Sequence, residues 1–199
     1  FAQTPDGRVW AGRINGVYWY NEATQAWEHP IFSGGNTVEG MCVDTAGNLW
    51  VATTSYIRRF DGTNWTHWNS QNAPFPPGTF SAIAAHPDGT VWIGHDQALI
   101  KFDAGDWSLY TNANSGLLEN WVTDVKIRDD GLIAVAALDY ETIGSGGVHL
   151  FDGSNWTVWT TANSPLTHWQ VEALEFDRDG HLWISAISEG VCQVLIGQP

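Results

Sequence analysis

Asp88-Gly89-Thr90-Val91-Trp92-Ile93-Gly94 is the clearest copy of a phrase that occurs five times along the chain. The other copies are Asp6-Gly7-Arg8-Val9-Trp10, Ala46-Gly47-Asn48-Leu49-Trp50, Asp130-Gly131-Leu132-Ile133-Ala134 and Asp179-Gly180-His181-Leu182-Trp183. The Trp position recurs after 40, 42, 42 and 49 residues. A period of about 40–45 residues built from strand-length segments is typical of a β-propeller, in which each repeat is a four-stranded blade.

Each full repeat contains four segments of strand length. In the third repeat an alternating apolar segment, residues 80–85, precedes the Asp-Gly turn, and the Trp92 segment follows it. A third segment ends at the Gly105 turn, and a fourth begins at Trp107. Alternating segments joined by short Gly turns are the signal of β-hairpins. We therefore predict an all-β protein of five blade repeats, with the last blade incomplete.

A single period from end to end predicts one domain over residues 1–199. The expected repeats are approximately 1–37, 38–79, 80–121, 122–170 and 171–199. The first repeat opens partway along its innermost strand, and the last ends after its third strand. Two closures stay open: a ring of five blades, or an arc within a larger ring. Because Phe1 replaces an initiator Met, we expect a processed, trimmed or partial chain.

The charge balance limits the partners. Acidic residues number 22 and basic residues 8, which gives a formal charge of −14. Nucleic acids and anionic membrane surfaces are recognised by clusters of Lys and Arg, which this chain lacks. No apolar run approaches the roughly 18 residues of a membrane span. We therefore expect neither a nucleic acid partner nor membrane insertion. A charge of this kind suits a soluble protein in a salty or extracellular setting, or one that attracts cations.

The repeated Trp residues are expected to form the core. Trp10, Trp50, Trp92 and Trp183 occupy one repeat position and are predicted to be buried between neighbouring blades. The fourth repeat has Ala134 instead, which predicts looser packing there or a borrowed side chain such as Tyr140. The same repeat carries seven extra residues between its second and third strands.

The phrase Asp-Gly-x-Leu/Val-Trp-Ile/Val-Gly/Ala, followed ten residues beyond the Trp by Phe-Asp-Gly, resembles the two-component-regulator propeller repeat. The linkers at residues 111–117 and 161–166 are similar to it as well. The resemblance covers nearly the whole chain and implies an extracytoplasmic bacterial propeller, either the sensory part of a membrane histidine kinase or a separate secreted protein. No catalytic motif defines the repeat, and the resemblance specifies no ligand.

The candidate binding residues lie on one face of the predicted propeller. Loops that enter the innermost strands and loops that join second to third strands share this face, around the central channel. Trp121 and Trp169 each precede an innermost strand where other repeats have Thr37 and Thr79. An aromatic ring beside polar groups suits stacking on a sugar or anchoring a protein. The predicted ligand-binding residues are Asn120, Trp121, Tyr140, Glu141, His168, Trp169 and Glu172.

A metal site is the weaker interpretation of the acidic residues. Glu39, Asp124 and Glu172 fall at the starts of innermost strands, where they could surround a Ca²⁺ ion that requires six to eight oxygen ligands. Ser81 and Thr123 interrupt that ring, and the His residues lack the spacing of a Zn²⁺ site. We predict no cofactor, with Ca²⁺ as the alternative.

Three function classes stay open. The leading hypothesis is a non-enzymatic extracytoplasmic sensor or assembly module, secreted, periplasmic or at the cell surface, that binds a ligand or protein partner on the loop face. The second is a lectin-like propeller that binds glycans. The third is a hydrolase or lyase acting on sugars or lactones, since the spacing of carboxylates across blades is invisible in a sequence.

Overall fold

The computed structural model describes residues 1–28, 36–188 and 190–196. Its regular secondary structure in these ranges consists entirely of strands, which confirms the all-β prediction. The strands are β1 (Ala2–Gln3), β2 (Val9–Arg13), β3 (Gly16–Asn21), β4 (Ala26–Glu28), β5 (Val38–Val43), β6 (Leu49–Thr53), β7 (Ile57–Phe60), β8 (Trp65–Trp68), β9 (Phe80–Ala85), β10 (Val91–His95), β11 (Ala98–Asp103), β12 (Asp106–Tyr110), β13 (Trp121–Ile127), β14 (Ile133–Leu138), β15 (Gly146–Phe151), β16 (Trp156–Trp159), β17 (Val171–Phe176), β18 (Leu182–Ala186) and β19 (Gly190–Val194).

The strands form five antiparallel sheets, in each of which strands adjacent in the chain pair with one another. Blade 1 contains β1–β4, blade 2 β5–β8, blade 3 β9–β12, blade 4 β13–β16 and blade 5 β17–β19. This is the blade arrangement of a propeller, and within the described residues the fifth blade has three strands, as predicted. The division into domains stays a prediction.

The repeated Gly residues close the first hairpin of each blade. Gly89 adopts φ +94°, and its N–H donates to the His86 carbonyl at 2.9 Å. Gly7, Gly47, Gly131 and Gly180 have φ between +82° and +93° and make the same bond to the residue three positions earlier. Residues with a Cβ rarely adopt this conformation, so the turn accounts for the repeated Gly.

Face-to-face packing of the blades forms the core. Trp10, Trp50 and Trp92 are 1–3% exposed, which confirms their predicted burial. Each Trp points towards the following blade, whereas its neighbours on the same strand, such as Leu49 and Val51, pack against the preceding blade. The indole N–H of each buried ring donates to a side-chain oxygen, Thr4 for Trp10, Asp44 for Trp50 and Thr90 for Trp92. Such bonds remove the cost of burying a polar N–H group.

Trp183 departs from the prediction, because 40% of this residue is exposed. It lies on β18 and points away from blade 4, towards the side where no further sheet packs in the described part of the chain. Within the same ranges, the strands of blade 5 do not pack extensively against those of blade 1. The described residues thus form an open arc rather than a closed ring of five blades.

Blade 4 compensates for its missing Trp without help from Tyr140. Ala134 is fully buried and pairs across the sheet with Leu150, whereas Trp50 and Trp92 pair with the cations Arg59 and Lys101. An Ala–Leu pair therefore replaces a Trp–cation pair at the same position. Tyr140 is 54% exposed, so the prediction that it fills this space is wrong.

Candidate functional site

The loop face is assembled by hydrogen bonds between the two predicted sets of loops. The donor–acceptor pairs are Thr54 N–H to the Thr37 carbonyl, Asp96 N–H to the Thr79 carbonyl and Ile187 N–H to the Gln170 carbonyl, each at 3.0 Å. These bonds recur in blades 2, 3 and 5. The entry loops and the loops between second and third strands therefore meet at one face, as the repeat pattern predicts.

A β-bulge interrupts the innermost strand of blades 2 to 5 at the same position. The residues left without a pairing partner, here called the bulge residues, are Glu39, Ser81, Thr123 and Glu172. Bulges redirect side chains and are common beside binding sites. Two carboxylates and two hydroxyls are thus presented at equivalent places near the inner edges of four blades.

The bulge hydroxyls also connect adjacent blades. Ser81 Oγ donates to the Val122 carbonyl at 2.6 Å, and Thr123 Oγ1 donates to the Val171 carbonyl at 2.8 Å. Glu39 and Glu172 are exposed. Partial burial raises the pKa of Glu39, because the carboxylate is less well hydrated than in water.

A shallow cavity of about 390 Å³ lies where blades 2, 3 and 4 meet. Its lining residues are Glu39, Thr54, Thr79, Phe80, Ser81, Trp121 and Thr123. Trp121 is 41% exposed, and its ring meets that of Tyr140 edge to face at 4.7 Å and 79°. The cavity therefore combines one partly desolvated carboxylate, several hydroxyls and the exposed ring of Trp121, which Tyr140 contacts from outside the cavity.

The insertion of blade 4 positions Tyr140. Residues 139–145 connect β14 to β15, and the Asp139 carboxylate accepts the N–H of Glu141 at 2.8 Å. Ser145 donates its hydroxyl to the Glu119 carboxylate, which ties the insertion to the entry loop of its own blade. A Cβ on Gly146 would lie 2.7 Å from the Trp169 carbonyl oxygen, so the insertion also approaches the entry loop of blade 5.

The remaining predicted ligand-binding residues have different surroundings. Trp169 is half-buried and stacks on His168 at 5.5 Å and 26°. His168 Nδ1 accepts the N–H of Gln170 at 3.1 Å, and Asn120 Oδ1 accepts the N–H of Asn112 at 2.7 Å. Trp169 does not line the cavity that Trp121 lines. The structure thus brings Trp121 and Tyr140 together, while Trp169 and His168 form a separate pair.

The Asp124 carboxylate is occupied by hydrogen bonds to the backbone. Its carboxylate accepts the N–H of Val125 and the N–H of Leu174 on blade 5, both at 2.8 Å. Burial raises the pKa of Asp124, although Lys126 at 3.9 Å opposes this effect. Both oxygens therefore already accept backbone N–H groups, and Oδ2 joins blade 4 to blade 5. The calcium hypothesis stays a prediction that rests on Glu39 and Glu172.

One group of potential metal ligands is present in the described ranges, Asp177, Asp179 and His181, with ligand atoms within 4.8 Å of one another. The Asp177 carboxylate accepts the indole N–H of Trp183 and contacts the His181 ring, both at 2.9 Å. These hydrogen bonds, first that of Trp183, lower the pKa of Asp177. Asp44 binds Trp50 in the same way, so this cluster is the repeat's turn structure.

The sequence pattern alone gives no ligand-binding role to the bulge hydroxyls or to Phe80. Ser81 and Thr123 interrupt the predicted acidic ring, and both line the cavity beside Trp121. Their shared offset from the repeated Gly is the signal that could have identified them. The bulge itself depends on strand pairing, which the sequence does not display.

Comparison with known proteins supports the fold. Residues 33–55 match the two-component regulator propeller family, which confirms the resemblance seen in the repeats. No curated protein matches the chain. No helix in the described residues is long and apolar enough to cross a membrane.

Several solved structures are similar to the chain. The extracellular domain of the hybrid two-component system BT3049 from B. thetaiotaomicron has a TM-score of 0.54 and 14% identity, over 96% of this chain and 32% of that one. YCF48 bound to D1 peptide has a TM-score of 0.64 and 14% identity, over 96% and 63%. Virginiamycin B lyase from Staphylococcus aureus has a TM-score of 0.69 and 14% identity, over 100% and 70%.

These similarities establish the β-propeller fold and nothing more specific. The chain spans about a third of the length of the BT3049 domain. The three structures are, by their descriptions, the extracellular domain of a two-component system, a peptide-bound protein and a lyase. Because one fold supports such different functions, the function of this chain has to be argued from its own site.

Proposed function

We propose that this chain is an extracytoplasmic recognition module that binds an extended peptide segment of a partner protein at the loop face, without catalysing a reaction. The observation that supports the proposal is the open Trp121–Tyr140 pair beside the cavity of blades 2 to 4. The extracytoplasmic location is supported by the two-component regulator propeller match and by the extracellular BT3049 domain.

The aromatic pair has the properties of a binding anchor. Trp121 and Tyr140 are 41% and 54% exposed, although large rings gain free energy when they leave water. Their edge-to-face contact restricts both rings before a ligand arrives, which lowers the entropy cost of binding. Aromatic anchors of this kind often contribute upwards of about 2 kcal/mol to binding.

The charge near the pair favours a cationic segment. Glu39 lines the cavity, and Glu141 and Glu172 are exposed on the same face. The formal charge of −14 would attract a basic ligand at long range. A Lys or Arg side chain could pair with Glu39 while an apolar neighbour packs on Trp121, and the Ser and Thr hydroxyls could bind peptide groups.

An array of synthetic peptides that vary in Lys, Arg and aromatic content tests the proposal. For the peptide that binds most tightly, we expect Trp121→Ala to raise Kd at least about tenfold with little change in melting temperature. Trp169→Ala should have a smaller effect, because Trp169 lies outside the cavity. Trp183→Ala is the matched control, since this residue is 40% exposed but lies on the side of blade 5.

Failure of every peptide to bind, or equal binding by wild type and Trp121→Ala, would contradict the proposal. Glycan binding is the second candidate, and the exposed ring of Trp121 beside Thr54, Thr79 and Thr123 favours it. A glycan array and a salt titration separate the two candidates. Binding of a cationic peptide should weaken as salt screens Glu39, whereas binding of a neutral glycan should not.

The hydrolase or lyase hypothesis has no comparable support. Asp124, one of the three acids considered for the channel, accepts two backbone N–H groups. The similarity to virginiamycin B lyase is one of fold.

A further inference from the structure

We propose that a second cavity, between blades 2 and 3, binds a small molecule that joins a carboxylate to an aromatic ring. This cavity, here called the Arg59 cavity, has a volume of about 490 Å³ and is lined by Arg59, Trp68, Phe102, Ala104 and Gly105. It shares no lining residue with the cavity of the loop face. Small-molecule sites usually enclose about 300–1,000 Å³, so its size suits a ligand of this class.

Arg59 brings a positive charge without a partner acid to the cavity. It pairs across the sheet with Trp50, as Lys101 pairs with Trp92 in blade 3. Lys101 forms an ion pair with Asp103 at 3.0 Å, whereas Arg59 forms no ion pair with a carboxylate in the described residues. The buried Nε atom of Arg59 also lacks a hydrogen-bond partner in these ranges. A guanidinium binds a carboxylate through two parallel N–H···O bonds, which makes a carboxylate the best complement of Arg59.

The turn after β7 explains why Arg59 has no acid beside it. Asp61 is the repeat equivalent of Asp103, but its carboxylate accepts the N–H of Thr63 at 2.9 Å and the N–H of Asn64 at 2.7 Å. These bonds, first that of Asn64, lower the pKa of Asp61, and the charge of Arg59 is the smallest of the causes. Asp61 therefore stabilises its own turn, and the guanidinium remains available to another acid.

The turn of blade 3 that borders the cavity has an unusual conformation. Asp103 pairs with Asp106 in the sheet, which leaves Ala104 and Gly105 as a two-residue turn. Their φ angles are +49° and +110°. Such turns favour Asn, Asp or Gly at the first position, so Ala104 holds a backbone conformation that is unfavourable for its side chain. Backbone strain of this kind is concentrated at binding sites, which is a second observation in favour of a ligand here.

The aromatic wall of the cavity is fixed before a ligand arrives. Trp68 stacks on Trp50 at 5.5 Å and 11°, and it meets Phe102 at 5.7 Å and 47°. Rings that are already held lose little conformational freedom on binding. The guanidinium carbon of Arg59 lies 5.9 Å from the centre of the Trp68 ring. A ligand with one carbon between its carboxylate and its ring can therefore pair with Arg59 while the ring packs against Trp68.

The negative charge of the chain leaves room for this local attraction. The formal charge is −14, but interactions beyond about 10 Å are largely screened at about 0.1 M salt. Among the acids of the two adjoining turns, Asp61 is held by its own turn and Asp103 by Lys101. Asp106 is then the carboxylate of these turns that opposes an anion, and its removal should strengthen binding.

Titration of the ¹⁵N-labelled chain with phenylacetate and with indole-3-acetate, followed by NMR, tests the proposal. We expect saturable shifts of the Gly105 amide and of the Trp68 indole N–H. The matched neutral probes are phenylacetamide and indole-3-acetamide, which have nearly the same shape without the charge. They should bind at least about tenfold more weakly, because the bond to a charged acceptor is lost.

Variants separate the Arg59 charge from the fold. Arg59→Gln and Ala104→Asp should each raise the Kd for phenylacetate at least about tenfold, the first by removing the cation and the second by adding a competing carboxylate. Asp tolerates positive φ, so Ala104→Asp retains the turn and tests the proposal even if Arg59→Gln unfolds. Lys101→Gln and Ala104→Asn are the controls and should bind like the wild type, whereas Asp106→Asn should bind more tightly.

The Arg59 cavity is independent of peptide binding at the loop face, so Trp121→Ala should leave the Kd for phenylacetate unchanged. The proposal is overturned if neither acid gives saturable shifts at millimolar concentrations, or if acids and amides bind equally. It is also overturned if Lys101→Gln weakens binding as much as Arg59→Gln, or if the shifts are centred on Trp121 instead of Trp68.

Discussion

Trp92 and Trp183 occupy the same position of the repeat, yet Trp92 is 3% exposed and Trp183 is 40% exposed. Both follow an Asp-Gly turn and lie on the second strand of a blade. Trp92 packs against Tyr110 at 5.2 Å and Phe151 of the next blade at 5.9 Å, whereas blade 5 has no following blade in the described residues. Burial of the repeated Trp therefore depends on two adjacent blades and not on one blade alone.

Trp92→Ala should have the largest effect on folding. Removal of the ring opens a cavity between blades 3 and 4 that the packed sheets cannot fill, and we expect a loss of about 3–5 kcal/mol in the free energy of unfolding. Urea denaturation of the wild type and the variant measures this loss. A loss below about 1 kcal/mol would show that blades 3 and 4 do not depend on this residue.

The pH dependence of stability is a second test of burial inside the arc. His149 is buried in blade 4, its Nε2 accepts the N–H of Leu118 at 3.0 Å, and burial lowers its pKa from 6.5 to about 4. The native state therefore binds fewer protons than the unfolded state below about pH 6.5. Above that pH, neutral His149 makes its full contribution to the free energy of unfolding. As the pH falls towards 4, the free energy of unfolding should decrease by about 3 kcal/mol in total because of His149.

Unfolding measured in urea between pH 7.5 and pH 4 isolates this effect when wild type is compared with His149→Gln. The Gln amide oxygen can still accept the Leu118 N–H but does not titrate in this range. We expect the variant to lose less stability on acidification. His67→Gln, at an exposed position of β8, is the control, and a variant His149→Gln as acid-sensitive as wild type would disprove the assignment.

Trp183→Ala should have the smallest effect, a loss of about 1 kcal/mol or less in the free energy of unfolding. In the described part of the chain no blade faces the ring, and its chief polar contact is the bond to Asp177 at 2.9 Å. The test is the difference between the losses of unfolding free energy in Trp183→Ala and in Trp92→Ala. Equal losses from the two variants would mean that blade position does not decide the contribution of this residue.

Several features of the fold could be read from the sequence because they depend on local chemistry. The repeated Gly requires positive φ, the alternation of apolar residues matches the two faces of a strand, and the Trp period gives the blade. The placement of Trp121 and Tyr140 on the loop face also follows from chain order. Their mutual contact does not, because it depends on the path of the insertion at residues 139–145.

The sequence by itself thus determined the strands, the turns and the face on which the candidate site lies. Tertiary structure decided which Trp is buried, why Ala134 needs no substitute ring, and that Asp124 binds the backbone of the next blade. These outcomes have one physical reason. Strand and turn preferences act over a few neighbouring residues, whereas burial and hydrogen bonding between blades join residues about 40–50 positions apart, whose contact depends on how two sheets pack.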